Sequence, residues 1–147
     1  MQEFYVPSKV DLTDDYFVYT GTIYGEIRGG TLQAKQNVAQ AILNRHSAEI
    51  VHDSTVGIKD VCLARLQFSC WNDTDPNRAE ILRAYRADPK IWAMCAQVAW
   101  AALNGENPDR IDGARNYYAT WMRIAPPWAK PPAVVTLNDG FHVFIRL

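Results

Sequence analysis

Two helical patterns separated by only two glycines, Gly29-Gly30, constrain the fold of this chain more than any other feature. The first pattern begins at Thr13, which we expect to act as the N-cap because its hydroxyl can accept a bond from the first turn. Its apolar residues share one broad face at helical spacing: Tyr16, Phe17, Tyr19, Ile23, Tyr24 and Ile27. The second pattern runs from Thr31 to about Ile50 and is apolar nearly all round at its centre, which is typical of a buried helix.

The rest of the chain adds one more long helix and a small β element. Asp88-Pro89 predicts the start of that helix and Asn104-Gly105 its end, since these residue types are favoured at the two termini. Two runs that favour strands, 134–137 and 141–145, flank Asn138-Asp139-Gly140 and predict a hairpin. Residues 53–77 are predicted to be irregular, with short extended or helical pieces. The proline-rich residues 125–132 are predicted to form a loop.

The sequence therefore predicts one domain over residues 1–147, of the α+β class, mostly helical with a small β hairpin lobe. A chain of 147 residues is large enough for one core but not for two. Its residues are 48% hydrophobic and 21% charged, which is typical of a globular domain and not of a disordered chain.

Charge and composition exclude several kinds of partner. The net charge is −1 and the basic residues are scattered, so no strong field attracts nucleic acid. No apolar run approaches the ~18 residues of a membrane span. The first residues lack the pattern of a signal peptide, so we expect a protein made and kept inside the cell, or a truncated mature form. We also expect a monomer. The odd set of Cys62, Cys70 and Cys95 predicts buried free thiols.

Glu26 is the strongest candidate for a catalytic residue. It lies near the end of the first helical pattern, at the border of the apolar face and just before Gly29-Gly30. Burial disfavours its ionisation, and the negative end of the helix dipole disfavours a second negative charge there. Both effects raise the pKa of the carboxyl, as an acid catalyst working near neutral pH requires. The alternative is an ordinary charged residue on a solvated helix face.

Other chemistries find little support in the sequence. The three histidines, His46, His52 and His142, do not have the spacing of a zinc site, and no H-E-x-x-H motif is present. No cysteine is paired with a histidine for nucleophilic catalysis. Asp73, Asp75 and Asn77 imitate the start of a calcium loop, but the required Gly and Glu do not follow. We therefore expect neither a metal nor a cofactor.

A stripe of uncharged amides breaks the apolar pattern of the second helix. Its members, spaced by four, three and four residues, are Gln33, Asn37, Gln40 and Asn44. Such a stripe either hydrogen-bonds a neutral ligand or is an ordinary polar helix face. The chain also has five Trp and seven Tyr, which suit carbohydrate recognition, although most large aromatic residues belong to the core.

Several motifs, taken in order, resemble the SleB/CwlJ-type cell-wall hydrolases. The motifs are Tyr24-Gly25-Glu26-Ile27-Arg28-Gly29, Val38 to Arg45, Gln67-Phe68-Ser69, Ala99 to Gly105, Tyr117-Tyr118, a Pro-Trp-Ala segment and His142-Val143-Phe144. The resemblance runs from about Tyr16 to the C-terminus. It implies a helical lobe with a small β lobe, related to goose-type lysozymes and lytic transglycosylases, and an enzyme that cuts the glycan strands of peptidoglycan.

The resemblance also implies roles for individual residues. Glu26 would be the catalytic acid. The residues that would bind substrate, or line and brace its cleft, are Tyr24, Asn44, Gln67, Phe68, Tyr117, Tyr118 and His142. Arg28 and Arg45 are expected to brace the helix turn. A compact member without a signal peptide is expected to be a bacteriophage endolysin, made in the host cytoplasm and acting on the wall after release.

Within this family the expected reaction is cleavage between N-acetylmuramic acid and N-acetylglucosamine by lytic transglycosylase chemistry, with Glu26 as acid and then base. Three alternatives stay open. Asp73 or Asp75 could position a water, which would make the protein a muramidase. The protein could be an amidase that cuts the bond between glycan and peptide, or a glycan-binding module without catalysis.

Overall fold

The computed structural model describes residues 6–64 and 68–147 and has an α+β fold, about half of it helical. Five helices come first: α1 (Asp15–Ile27), α2 (Leu32–Glu49), α3 (Ile58–Leu63), α4 (Pro76–Ala87) and α5 (Pro89–Leu103). Three short strands follow: β1 (Asn116–Ala119), β2 (Val134–Asn138) and β3 (His142–Arg146). Single 3-10 turns lie at Ser69–Trp71 and Pro127–Ala129.

Helix α1 is the centre of the helical part and contacts each of the other four helices. Its Phe17 and Tyr19 are fully buried, and Phe17 packs against Trp92 of α5 with ring centroids 5.3 Å apart. The buried Tyr19 hydroxyl donates to the Ala39 carbonyl of α2 at 2.6 Å. Burying these large apolar side chains against four neighbours is the main favourable term that holds α1 in place.

Helix α4 approaches α1 closely because Gly25 has no side chain. A Cβ at Gly25 would lie 2.5 Å from Cδ1 of Ile81 in α4 and 3.0 Å from Sγ of Cys70. Atoms at those distances overlap, so a larger residue at position 25 would force the Ile81 and Cys70 side chains to shift. Gly25 immediately precedes Glu26, and the close packing therefore fixes the turn that carries this carboxyl group.

A buried lysine closes the C-terminal end of α1. Lys35 of α2 is fully buried, and its Nζ donates to the carbonyls of Gly30 at 2.6 Å and Arg28 at 3.2 Å. These carbonyls lie where a helix has no amide partners of its own. Lys35 therefore supplies the end cap of α1 across the glycine turn.

The small sheet has β3 at its centre, and both other strands pair with it antiparallel, in the order β1-β3-β2. Tyr117 of β1 lies opposite Phe144 of β3. Phe144 is fully buried and joins the core of the helical part. Asn37 of α2 donates to Oδ2 of Asp139 in the hairpin turn at 3.0 Å, which fastens the sheet to the helices.

Much of the predicted secondary structure is confirmed. Helix α2 begins after its N-cap Thr31, α5 begins at Pro89, and the hairpin turns at residues 138–140. The three cysteines are free and buried. The relation of this fold to goose-type lysozymes stays a prediction.

Other expectations need correction. The N-cap of α1 is Asp14, whose carboxylate accepts from the first turn, whereas the Thr13 hydroxyl donates to Asp11. The end of the segment predicted to be irregular already belongs to a full helix, α4, capped by Asp75. The hairpin is also not alone, because β1 adds a third strand.

Candidate functional site

Glu26 lies in the last turn of α1, where its carboxyl group is well shielded from water although the residue keeps some exposure. The Tyr117 hydroxyl, on β1, donates to its Oε1 at 3.1 Å. This bond joins residues 91 positions apart and connects the central helix to the sheet. The structure thus places the predicted acid at the junction of the helical part and the β part.

Burial is the main cause of the raised pKa of Glu26. The negative charge of Asp75 acts in the same direction. The hydrogen bond from Tyr117 and the positive charge of Arg45 oppose it, because both stabilise the carboxylate. The sequence argument also invoked the dipole of α1. Here the carbonyls of Arg28 and Gly30, just after α1, accept from the Lys35 ammonium, whose positive charge opposes the negative end of the dipole.

Tyr117 is held by aromatic side chains of β3. The His142 ring meets the Tyr117 ring edge to face with centroids 4.6 Å apart, and the Phe144 ring lies 5.4 Å away. Burial, and then the charge of Glu26, keep the pKa of the Tyr117 hydroxyl well above its usual range. The phenol is therefore a hydrogen-bond donor to Glu26 throughout the physiological pH range.

His142 supports this arrangement as a neutral ring. Burial lowers its pKa, and the nearby charge of Asp139 only partly offsets that effect. Its buried Nδ1 has no hydrogen-bond partner among residues 6–64 and 68–147. A buried polar atom of this kind costs stability unless something else satisfies it.

Arg45 of α2 is the cation near the candidate acid. Its guanidinium lies over the ring of Phe68, 4.8 Å from the centroid, and its Nε donates to the Arg115 carbonyl. Burial lowers the pKa of Arg45, while the neighbouring Tyr117 and Glu26 raise it. Phe68 itself is 3% exposed, so it forms a buried platform for Arg45.

The other predicted site residues have different surroundings. Tyr24 is buried, and its hydroxyl donates to Oδ2 of Asp88 at 2.9 Å. Tyr118 follows Tyr117 on β1, faces the other side of the sheet, and meets the Trp128 ring at a centroid distance of 6.2 Å. Gln67 lies outside the described residues. The roles of Tyr24, Gln67 and Tyr118 in binding substrate stay predictions.

Three members of the amide stripe of α2, Asn37, Gln40 and Asn44, are engaged in bonds within the protein, and Gln33 is exposed. Asn44 donates to the Ala114 carbonyl at 2.9 Å, and its own oxygen accepts from Gln40 at 3.1 Å. Gln40 also accepts from Asn107 at 3.1 Å. These bonds tie α2 to the segment before β1, so Asn44 braces the wall of the site. Contact between Asn44 and substrate stays a prediction.

Sequence reasoning assigned Arg28 and Arg45 to bracing the helix turn, and that role stays a prediction. The Arg28 guanidinium lies 4.8 Å from the Tyr24 ring centroid and donates to Asn77. Sequence reasoning missed Arg45 as the cation that acts on Glu26 and Lys35 as the group that caps α1, and it offered Asp75 only as a residue that could position a water. No local signal marks Lys35 as buried, because its neighbours Gln33, Gln36 and Asn37 are polar as well.

The carboxylates considered for a second catalytic role have structural partners. Oδ1 of Asp75 accepts from the Asn77 amide at 2.8 Å as the cap of α4. Asp73 is highly exposed and lies 3.7 Å from Arg78. In the part of the chain that the structure covers, no three or more His, Cys, Asp or Glu residues group as metal ligands would. No helix there has the length and apolar character that crossing a membrane needs.

Comparison with protein families identifies a match over most of the chain. A family model described as Cell Wall Hydrolase matches residues 29–145. The matched range begins just after α1 and ends in β3, so it contains Asn44, Phe68, Tyr117, Tyr118 and His142 but not Glu26. No curated protein matches, and no solved structure matches.

Proposed function

This chain belongs to the cell wall hydrolase family, and we propose on that basis that it cleaves the glycan strands of peptidoglycan with Glu26 as its catalytic acid. The bond proposed is that between N-acetylmuramic acid and N-acetylglucosamine. The observation that carries the proposal is the shielded carboxyl of Glu26, held by the Tyr117 hydroxyl at 3.1 Å and raised in pKa by burial.

The first step uses the protonated form of Glu26. Its proton passes to the glycosidic oxygen as the bond from that oxygen to C1 of the muramic residue breaks. The electron pair of that bond leaves with the departing sugar, and positive charge develops at C1 and the ring oxygen. The raised pKa of Glu26 increases the fraction of the acid that is protonated relative to an ordinary carboxyl group.

The second step uses the carboxylate that remains. Glu26 takes the proton of the 6-hydroxyl of the same muramic residue, and the freed oxygen bonds to C1 to give a 1,6-anhydro ring. The hydrogen bond from Tyr117 and the charge of Arg45 stabilise the carboxylate at this stage. These two groups therefore support the ionised half of the cycle, and burial supports the protonated half.

Hydrolysis by a muramidase route is the second candidate because Asp75 is close enough for its charge to raise the pKa of Glu26. In that route a water positioned by a carboxylate would attack C1. However, one Asp75 oxygen already caps α4 through the Asn77 amide. This engagement favours the anhydro route, in which Glu26 alone handles both proton transfers.

Mass spectrometry of the fragments released from purified peptidoglycan tests the proposal. The anhydro route predicts muramic ends that are lighter by one water than the reducing ends that hydrolysis leaves. Fragments cut between glycan and peptide would instead show an amidase, and intact strands would show binding without cleavage. The proposed setting, lysis of a phage-infected host, is tested separately by co-expressing the protein with a pore-forming phage protein and following culture turbidity.

A further inference from the structure

A small cavity with charged walls lies next to the candidate active site. Its volume is about 150 Å³, and its walls are formed by Arg45, Ala48, Glu49, Arg115 and Asn116. The first three belong to α2, and the other two lead into and begin β1. The cavity therefore lies at the same junction of α2 and β1 that positions the candidate acid.

One residue, Arg45, connects this cavity to the surroundings of Glu26. Arg45 lines the cavity and its charge also acts on Glu26 and Tyr117. Asn116 also lines the cavity, but its side chain alternates to the opposite side of the strand from Tyr117, so the link to Glu26 runs through Arg45. A ligand in the cavity would thus be a close neighbour of a sugar bound at Glu26.

The chemistry of the walls selects the kind of ligand. Two guanidinium groups and an amide suit a carboxylate, which arginine binds with paired hydrogen bonds. The single carboxylate, Glu49, reduces the net positive charge of the lining and suits a ligand that also carries an amine. Arg115 is exposed, so its guanidinium can reach such a ligand.

We infer that this cavity binds the peptide stem of peptidoglycan through a stem carboxylate, with Arg115 as the main contact and Arg45 as the second. The inference rests on the proposed function. In peptidoglycan the peptide stem is attached to the lactyl group of the same muramic residue whose glycosidic bond at C1 would be cut. A stem carboxylate therefore arrives beside the scissile bond, where the cavity lies.

Direct binding tests the inference without requiring catalysis. Calorimetric titration with a soluble muramoyl peptide should show binding to the unaltered protein. Arg115→Glu should weaken that binding by about fivefold or more, since an exposed ion pair contributes up to ~1 kcal/mol and reversal adds repulsion. The same peptide with amidated carboxylates should bind the unaltered protein as weakly. Equal affinity for the free and amidated peptides would overturn the inference.

Cleavage rates give a second test, which separates the inference from the proposed function. The ratio of kcat/KM on strands that carry stems to kcat/KM on strands stripped of stems should fall by about fivefold in Arg115→Glu. Arg110→Glu is the matched control, because this exposed arginine donates to Gln36 and does not line the cavity.

The outcomes are distinct. An unchanged ratio, or an equal loss on both substrates, would overturn the role of Arg115 in reading the stem. Competition by a phosphate polymer but not by the muramoyl peptide would assign the cavity to a different wall component and also overturn the inference. No cleavage of either substrate by the unaltered protein would refute the proposed function, while the titration would still decide what the cavity binds.

Discussion

Two hydrogen bonds from a tyrosine to a carboxylate flank the same turn of α1, yet their surroundings differ. Tyr24 donates to Asp88 at 2.9 Å, and Glu26 accepts from Tyr117 at 3.1 Å. The first bond lies where α1 meets the junction of α4 and α5, and its tyrosine is buried among aromatic rings of the core. The second joins α1 to the sheet, and the residue that carries its carboxyl group, Glu26, keeps some exposure.

The comparison shows that bond type does not decide function. Both pairs have an arginine nearby, Arg28 for the first and Arg45 for the second. What differs is that Glu26 combines a shielded carboxyl with a position at the edge of the core, next to a cavity that a ligand can enter. Asp88 lies between α4 and α5, and its bond from Tyr24 connects these helices to α1. The pair at Asp88 is therefore expected to contribute stability, and the pair at Glu26 chemistry.

The largest expected difference between the pairs comes from removing each carboxylate in turn. Glu26→Gln should slow the clearing of cell-wall suspensions by about 100- to 10,000-fold, because the amide cannot donate an acidic proton. Asp88→Asn should keep clearing near the original rate and lower the free energy of unfolding by about 1 kcal/mol, because it exchanges a charged acceptor for a neutral one. Turbidity assays and urea unfolding measure the two effects. Near-normal clearing by Glu26→Gln would refute the assignment.

The next effect concerns the donor to Glu26. Tyr117→Phe removes a hydrogen bond that stabilises the carboxylate, so the pKa of Glu26 should rise further. The alkaline limb of the pH–rate profile should then move to higher pH, and the maximum rate should fall by about tenfold as the carboxylate loses support. Tyr85→Phe is the control, since Tyr85 packs on Phe17 and Trp92 away from this pair. A limb that moves to lower pH would contradict the assignment.

A smaller effect concerns stability. Because the pKa of Glu26 is raised in the folded protein, its contribution to stability is complete below the unfolded pKa and is lost as the pH rises through the folded pKa. Glu26→Gln removes this loss. The free energy of unfolding of the variant minus that of the original protein should therefore be larger at about pH 8 than at about pH 4. Denaturant unfolding at both pH values measures the change, and equal differences would argue against a buried carboxyl.

The smallest effect concerns His142, which supports Tyr117 rather than Glu26. Its pKa is lowered by burial, so its contribution to stability is present above its ordinary pKa and is lost as the pH falls through the folded value. His142→Phe keeps an aromatic ring beside Tyr117 and removes the titration. The variant should lie within about 1 kcal/mol of the original protein at neutral pH and retain more stability in acid. A parallel loss in acid would show that His142 does not titrate there.

Local patterns were enough to predict the elements that sequence neighbours define. The cap at Thr31, the Asp88-Pro89 start of α5 and the turn at Asn138-Asp139-Gly140 each act within a few residues. The same reasoning could have found α4, because Asp75-Pro76 repeats the pattern of Asp88-Pro89.

The contacts that build the candidate site could not be predicted in this way. Strand β1 has only four residues and pairs with β3, which is far away in the chain, so its own sequence defines it weakly. The bond from Tyr117 to Glu26 depends on that pairing. The cation near Glu26 likewise depends on how α2 packs, and no periodicity in α2 distinguishes Arg45 from a surface arginine. Glu26 itself could be proposed from its position in α1, but its partners could not.

The buried position of Lys35 allows local opening at the end of α1 to be measured by chemical labelling. Lys35 is fully buried against the carbonyls of Arg28 and Gly30, so an acylating reagent can reach its nitrogen only when this turn comes apart. Its labelling rate, compared with that of an exposed lysine such as Lys130, would report how often the segment beside Glu26 opens. The acylation rate of Lys35 is thus a built-in measure of local opening in this segment.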